Sequence, residues 1–249
     1  MKGLKRLLSY ARRACDDYHM IEDGDKIAVG VSAGKDSLSL LWAMAELRRF
    51  YPKKFELIAI TVDMRFGDLE RGGEPMDFSP IAALCEKLGV TYHVEPSNIA
   101  KIVFDVRKES NPCSLCAKMR RGMLHDAAKE LGCNKLALGH HLDDAVVTFY
   151  MNLLDGGKIG CFRPVSYLSR KDLTLIRPMV FAYEKDVAKA ARKLDLPVTK
   201  SLCKADGITE RQKVKDLLFK LEKENGYSSL YKKTIGALQR GGIDGWGEE

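Results

Sequence analysis

Three groups of residues in this chain have side chains suited to chemistry. The first is Ser32-Ala33-Gly34-Lys35-Asp36-Ser37, which interrupts a β-branched apolar run, Ile27 to Val31, before helical spacing resumes at Leu38, Leu40 and Leu41. A strand, a tight small-residue loop and the first turn of a helix aim backbone N–H groups and the positive end of a helix dipole at one point, which suits a phosphate. Lys35 adds a point charge, and Ser32 and Ser37 add hydroxyls. A Walker A loop does not fit, because Gly30 to Gly34 is one residue too short and Asp36 follows Lys35. A carboxylate beside a phosphate cradle makes sense when a metal ion bridges the two, so a simple P-loop NTPase is disfavoured.

The second group is Gly139-His140-His141-Leu142-Asp143-Asp144, at the end of an apolar stretch and the start of a helical one. Adjacent residues at a helix start point in different directions, so they make a poor metal site by themselves. One or two of the carboxylates holding Mg²⁺ against nucleotide phosphates is the better reading, because Mg²⁺ prefers few protein ligands plus phosphate oxygens. The third group is Cys113-Ser114-Leu115-Cys116, followed by the basic stretch Ala117 to Gly122. A single CxxC serves redox chemistry, half a zinc site or part of an iron–sulfur cluster. A thioredoxin-type context is missing, and a second CxxC for a four-cysteine zinc site does not occur. The late Cys203 precedes another basic stretch, with Arg211, Lys213 and Lys215. Cys15, Cys85, Cys133 and Cys161 lie in apolar patterns and read as buried small residues.

Positioning these groups requires a sheet. Residues 2 to 21 form an expected amphipathic helix, with Leu4, Leu7, Leu8, Ala11 and Ala14 as its stripe and a basic flank suited equally to solvent or RNA. Expected strands are Ile27–Val31, Leu57–Val62, Val90–Val94 and Lys135–Leu138. Expected helices lie between the loop and about Phe50, over Ser79–Leu88, after the GHHLDD segment, over Glu210–Leu221 and over Ser228–Leu238. Gln239 to Glu249 reads as a mobile Gly-rich tail. Alternating strands and helices imply parallel pairing with right-handed crossovers. The loops after the first and fourth strands then flank the topological switch point and face each other, with Asp63 at the end of the neighbouring strand near a nucleoside.

Composition limits the alternatives. The 249 residues, 45% hydrophobic and 30% charged, suit a globular domain with an appendage. No apolar run is long enough to span a bilayer and no signal-peptide pattern opens the chain, so a cytoplasmic location and no membrane are expected. Seven cysteines in a reducing compartment point to metal or sulfur chemistry rather than a disulfide framework. The net charge of +7 favours a polyanionic partner.

The loop Ser32–Ser37 resembles the SGGxDS loop of the PP-loop ATP pyrophosphatases, with Ala33 where the middle glycine is usual. That family carries a similar Gly-His-His-x-Asp-Asp signature. The two motifs occur in order with the CxxC and nearby Arg120-Arg121, Ile176-Arg177-Pro178-Met179, Glu184-Lys185-Asp186 and a lone late cysteine. Over roughly Lys26 to Leu218 the chain therefore resembles the TtcA-type tRNA 2-thiocytidine synthetases. The related TtuA-type thiouridine synthetases carry further zinc-finger CxxC pairs, which are absent here.

The resemblance implies an α/β Rossmann-like (HUP/PP-loop) doubly wound parallel sheet with helices on both faces. An N-terminal helix (1–24), the PP-loop domain (25–200) and a C-terminal helical extension (201–249) would make up the chain. The implied enzyme is an ATP-dependent tRNA sulfurtransferase that adenylates the C2 oxygen of a cytidine, at position 32 by resemblance, and replaces it with sulfur. By the same resemblance Cys113, Cys116 and Cys203 hold a [4Fe-4S] cluster with one iron open. Ser32, Ala33, Gly34, Lys35, Asp36, Ser37, Asp63, Gly139, His140 and Asp143 bind ATP and Mg²⁺, and Lys35, Asp36, Asp143, Cys113 and Cys116 serve catalysis. Expected partners are tRNA, a sulfur donor such as a cysteine desulfurase, and a second copy in a homodimer. Two alternatives remain open at this stage. One is another PP-loop adenylating enzyme, a thiouridine synthetase or lysidine-type ligase, with zinc on the cysteines. The other is a nucleotide- or iron–sulfur-sensing module.

Overall fold

A computed structural model describes residues 2–65, 76–107, 112–199, 210–224, 226 and 228–247. Its first helix, α1 (Lys2–Asp17), is followed by β1 (Asp25–Gly30), α2 (Lys35–Arg48), β2 (Phe55–Asp63), α3 (Ser79–Leu88) and β3 (Thr91–Pro96). A π-helical turn (Lys101–Arg107), α4 (Pro112–Glu130), β4 (Lys135–Ala137) and α5 (Leu142–Leu154) come next. The chain continues through β5 (Val165–Leu168), β6 (Leu173–Ile176), α6 (Glu184–Lys193), α7 (Glu210–Lys223) and α8 (Leu230–Arg240). The six strands order as β3-β2-β1-β4-β6-β5. β1 pairs in parallel with both β2 and β4, aligning Ile27 with Leu57 on one side and Lys135 on the other. The expected doubly wound arrangement is therefore present, with the switch point between β1 and β4.

Alternation along β1 sends its side chains to two cores. Ile27 and Val29 join the larger one with Leu7 and Ala11 of α1, Leu40 and Leu41 of α2, Val146 of α5 and Val187 of α6. Ala28 faces the smaller core with Leu136, Leu175 and the Leu124, Ala127 and Ala128 face of α4. At the amino ends of the strands Asp25 is 4% exposed and accepts Lys135 Nζ at 2.7 Å and Asn134 Nδ2 at 2.7 Å. This buried clamp fixes β4 against β1, so the loops at the opposite ends of these strands are set side by side.

Several expectations change. Helix α1 stops at Asp17 instead of 21, because His19 turns left-handed (φ 47°) and Met20 N–H closes onto Cys15 O at 3.0 Å. Its basic flank is partly engaged: Arg12 and Arg13 pair with Asp16 and Asp17 one turn on, and Arg6 with Asp186. The β5–β6 hairpin and the π-helical turn lack a clean period-2 or period-3.6 pattern and were not expected from the sequence. The CxxC lies inside the first turns of α4 rather than ahead of the helix. The tail is not loose as far as Gly247: Trp246 is 1% exposed, its Nε1 donates to Phe162 O at 2.8 Å, and its carbonyl accepts the Tyr18 hydroxyl at 3.0 Å. Trp246, with Val214, Leu218, Ile235 and Leu238 of α7 and α8, belongs to the same core as α1, so the extension and the main domain share one interior. Residues 248–249 lie outside the described set. No described helix is long and apolar enough to cross a membrane.

Candidate active site at the switch point

The phosphate loop is closed by its own hydroxyls. Ser37 Oγ accepts Ser32 N–H at 2.9 Å, donates to Ser32 O at 2.7 Å and lies 3.0 Å from Ser32 Oγ. Ser32 Oγ accepts Gly34 N–H at 3.4 Å, and Ala33 O accepts the Thr199 N–H at 3.0 Å. Gly34 is the extended N-cap residue of α2 and supplies no side-chain cap. The first amides of α2 are therefore left to a ligand, as an anion site at a helix N-terminus requires.

Gly139 shows how tightly the second loop approaches. A Cβ at this position would come within 3.1 Å of Ser37 N and 3.2 Å of the Asp36 carbonyl carbon. Glycine lets the loop after β4 lie this close on the first turn of α2; any Cβ would force the two apart by a few tenths of an ångström. The GHHLDD helix start then turns its side chains toward Asp36. His141, the N-cap of α5, has a ring 2% exposed, with Nε2 at 3.8 Å from Asp36 Oδ1 and 3.5 Å from Asp144 Oδ2 and Nδ1 at 3.8 Å from Asp143 Oδ2. His140 instead faces Phe162, ring centroids 5.1 Å apart, and burial followed by the nearby Arg177 holds its pKa down to about 4. Sequence reading selected the first histidine of the pair; the structure puts the second between the carboxylates, because N-cap geometry turns it inward.

The charges here form a chain. Lys35 Nζ donates to Asp36 Oδ2 at 3.1 Å and to Glu184 Oε1 at 3.2 Å. Glu184 Oε2 accepts Lys215 Nζ at 3.1 Å, and its backbone N–H donates to Asp143 Oδ2 at 2.7 Å. Burial alone would lower the Lys35 pKa, but Asp36 and Glu184 outweigh it and raise it. Burial would raise Glu184, yet Lys215 and then Lys35 hold its carboxyl low. Asp143 is pushed up, by burial first and by the Glu184 charge after it, against the pull of the Glu184 N–H and His141. Asp36 Oδ1 is buried without a hydrogen bond, although Lys35 Nζ lies 3.1 Å from it at a poor angle. A half-satisfied carboxylate oxygen facing the phosphate loop fits a cation arriving with the nucleotide.

Asp63 ends β2 beside the loop. Its side chain caps the local turn by accepting Arg65 N–H at 2.9 Å, and its carbonyl accepts the Ser97 hydroxyl at 2.7 Å. The next residue, Met64, receives Cys116, sulfur to sulfur at 3.8 Å. The structure thus brings the CxxC to the same edge of the sheet as the phosphate loop. Cys113 is exposed and Cys116 half-buried. The remaining described cysteines differ: burial pushes Cys15 and Cys161 up to about 12 and Cys85 to about 11, and raises Cys133 as well. They stay thiols and make poor metal ligands. Cys203 lies outside the described residues, and among those described no group of three His, Cys, Asp or Glu side chains is placed to hold a metal ion.

Sequence reasoning missed Glu184, Lys215 and Arg211 as members of the site. Arg211 Nη1 donates to Asp144 Oδ1 at 2.6 Å and Nη2 to Thr148 Oγ1 at 3.0 Å. Arg211 and Lys215 of α7 are thus engaged within the site, whereas Lys213 pairs with Glu210 at 2.7 Å on the exposed face of the helix. Lys118, Arg120 and Arg121 of α4 remain exposed. The one signal available was Glu184-Lys185-Asp186, which follows Ile176-Arg177-Pro178-Met179.

The chain is similar to known proteins. A PP-loop domain family matches residues 7–220. The chain is 38% identical over 224 residues to a tRNA-cytidine(32) 2-sulfurtransferase of Geobacter sulfurreducens, spanning 89% of this chain and 84% of that one. It is 39% identical over 221 residues to a protein of the same name from Ralstonia pickettii, spanning 88% and 68%. Among solved structures it resembles the U34-tRNA thiolase NcsA from Methanococcus maripaludis with its [4Fe-4S] cluster. That match has a TM-score of 0.74 at 25% identity and covers 93% of this chain and 77% of the other.

Proposed function

Because the chain belongs to the PP-loop family and, within it, to the tRNA-cytidine(32) 2-sulfurtransferases, we propose that it thiolates a cytidine of tRNA at the expense of ATP. The observation that carries this reading at the level of residues is the meeting of three elements at one sheet edge. The phosphate loop, the GHHLDD helix start and Cys116 beside Met64 all lie at the carboxyl ends of β1, β4 and β2.

The reaction has two displacements. The C2 oxygen of cytosine attacks the α-phosphorus of ATP, the α–β P–O bond breaks and pyrophosphate leaves. A hydrosulfide sulfur then adds at C2, the C2–O bond breaks, and AMP departs with the oxygen; no net redox change occurs. The open amides of α2 and the Lys35 ammonium bind the pyrophosphate and stabilise its charge as it leaves. Asp36 and Asp143 would hold Mg²⁺, which would neutralise phosphate charge, and His141, wedged between them, fixes their spacing. Asp63 and Gly139 border the nucleoside. The target base leaves its stack to reach the site, while Lys118, Arg120 and Arg121 bind tRNA phosphates.

Exposed and half-buried thiols at Cys113 and Cys116, with Cys203, suit an iron–sulfur cluster by donor chemistry. When bound, such a cluster supplies an iron position that holds the sulfur nucleophile away from water. A cysteine desulfurase is the fitting class of sulfur donor, provided a thiol reductant supplies the two electrons that take its persulfide sulfur to the hydrosulfide used here. The deciding experiment incubates anaerobically purified protein with unmodified tRNA, ATP, Mg²⁺ and sulfide. The expected result is 2-thiocytidine in the nuclease digest, with stoichiometric pyrophosphate. Pyrophosphate without a thionucleoside, from a colourless zinc-containing protein, would overturn the reading.

A further inference from the structure

Glu184 opens α6 and touches three other elements. Its Oε1 accepts Lys35 of the phosphate-loop helix, its Oε2 accepts Lys215 of α7, and its N–H holds Asp143 of α5. The Lys35, Glu184 and Lys215 side chains are 32%, 34% and 28% exposed, so water screens them only in part. We propose that Glu184 is a positioning residue that couples nucleotide binding at the phosphate loop to the docking of α7, by sharing one carboxylate between Lys35 and Lys215.

The coupling follows from charge. In the structure Lys35 is divided between Asp36 and Glu184, and Glu184 between Lys35 and Lys215. Phosphates arriving beside Lys35 draw its charge toward themselves and bring new negative charge toward Glu184. Lys215 then becomes the cation that neutralises Glu184, and their ion pair tightens. Linkage makes the effect reciprocal: a cation at 215 must strengthen nucleotide binding. Without it, Glu184 competes for Lys35 with its whole charge and repels the phosphates unneutralised. The Arg211–Asp144 pair ties α7 to the other loop of the site but does not touch Lys35, so it anchors the helix without carrying this signal.

The proposal rests on the reading of Ser32–Ser37 as an ATP site, and its test separates the two. A non-hydrolysable ATP analogue with Mg²⁺ is titrated into the full-length protein and into Lys215→Met, Glu184→Gln and the double variant. Lys215→Met is expected to raise Kd roughly fivefold or more, while in the Glu184→Gln background the same substitution changes Kd less than about twofold. Lys215→Arg, which keeps the cation, stays near wild type. Hydrogen exchange of the Val214–Leu221 amides slows when the analogue binds to wild type and not when it binds to Glu184→Gln. Additive effects of the two substitutions, or α7 exchange indifferent to nucleotide in wild type, would overturn the coupling alone. Absence of any wild-type binding would overturn the coupling and the ATP reading together.

Discussion

Asp143 accepts the backbone N–H of Glu184 at 2.7 Å, and His141 Nδ1 stands 3.8 Å from the same oxygen. One carboxylate thus joins the start of α5 to the start of α6 and faces the phosphate loop. Its two duties separate on substitution. Asp143→Asn keeps a side-chain oxygen for the Glu184 N–H but removes the charge that would hold Mg²⁺. Pyrophosphate release is expected to fall about a hundredfold or more while the melting temperature holds. Asp143→Ala loses the acceptor as well and is expected to melt earlier. An Asn variant with wild-type turnover would remove Asp143 from the metal site.

The cysteines sort by burial. Cys113→Ala or Cys116→Ala is expected to lose most bound iron while the ATP analogue binds as in wild type. Cys85→Ala is expected to keep its iron, because that thiol is buried at 1% exposure and held as a thiol. Alanine is the better probe there, since serine would bury an extra hydroxyl and confuse folding with function. Iron analysis after anaerobic purification checks each variant, and iron loss in Cys85→Ala would mean that the ligand set is wrong.

Stability should fall on the acid side through His140. Its folded pKa of about 4 lies below the ordinary 6.5 of a histidine because the ring is buried against Phe162, with Arg177, Arg211 and His141 opposing its charge and Asp144 favouring it. The unfolded chain therefore binds the extra proton first. The contribution is complete above pH 6.5 and is lost as pH falls toward 4. Denaturant unfolding at several pH values checks this, and His140→Gln should flatten the slope. An identical slope in the variant would assign the acid sensitivity elsewhere.

What the sequence revealed depended on how local the cause was. The phosphate loop was legible because small residues, Lys35 and Asp36 must lie in one turn, and strand alternation placed it opposite Gly139. The family match over 7–220 agrees with the PP-loop reading, whereas the thiols entered only through the TtcA-type resemblance. Glu184, Lys215 and Arg211 were hidden because their partners lie 149, 31 and 67 residues away, and no spacing rule encodes such pairs. The choice between His140 and His141 turned on an N-cap that only the backbone defines. The docked tail was misjudged because glycines 241, 242, 245 and 247 read as freedom, whereas Gly242 and Gly245 take positive φ (59° and 69°) to return Trp246 to the core.

Trp246 is the measure of that tail. Trp246→Ala removes a fully buried indole, its bond to Phe162 O and its edge-on contact with the Tyr18 ring. The expected loss is about 3–5 kcal/mol, or roughly 10 °C in melting temperature for a chain of this size. A mobile tail would instead give a change within about 0.5 kcal/mol. Thermal unfolding distinguishes the two outcomes directly.

Gly139→Ala tests whether the two loops must touch for the site to work. The added Cβ would sit 3.1 Å from Ser37 N and 3.2 Å from the Asp36 carbonyl carbon, both backbone atoms that cannot rotate away. Gly139 is not among the residues with positive φ, so the substitution costs contact and not backbone strain. The loop must shift by a few tenths of an ångström, which moves the α2 amides and Asp36 relative to Asp143. The fold should survive, while affinity for the ATP analogue drops about tenfold or more, since such sites depend on sub-ångström placement. Gly122→Ala, in a helix with open space around it, is the control and should bind the analogue like wild type. Equal affinities for the Gly139 variant and wild type would mean that the phosphate loop acts without its neighbour across the switch point.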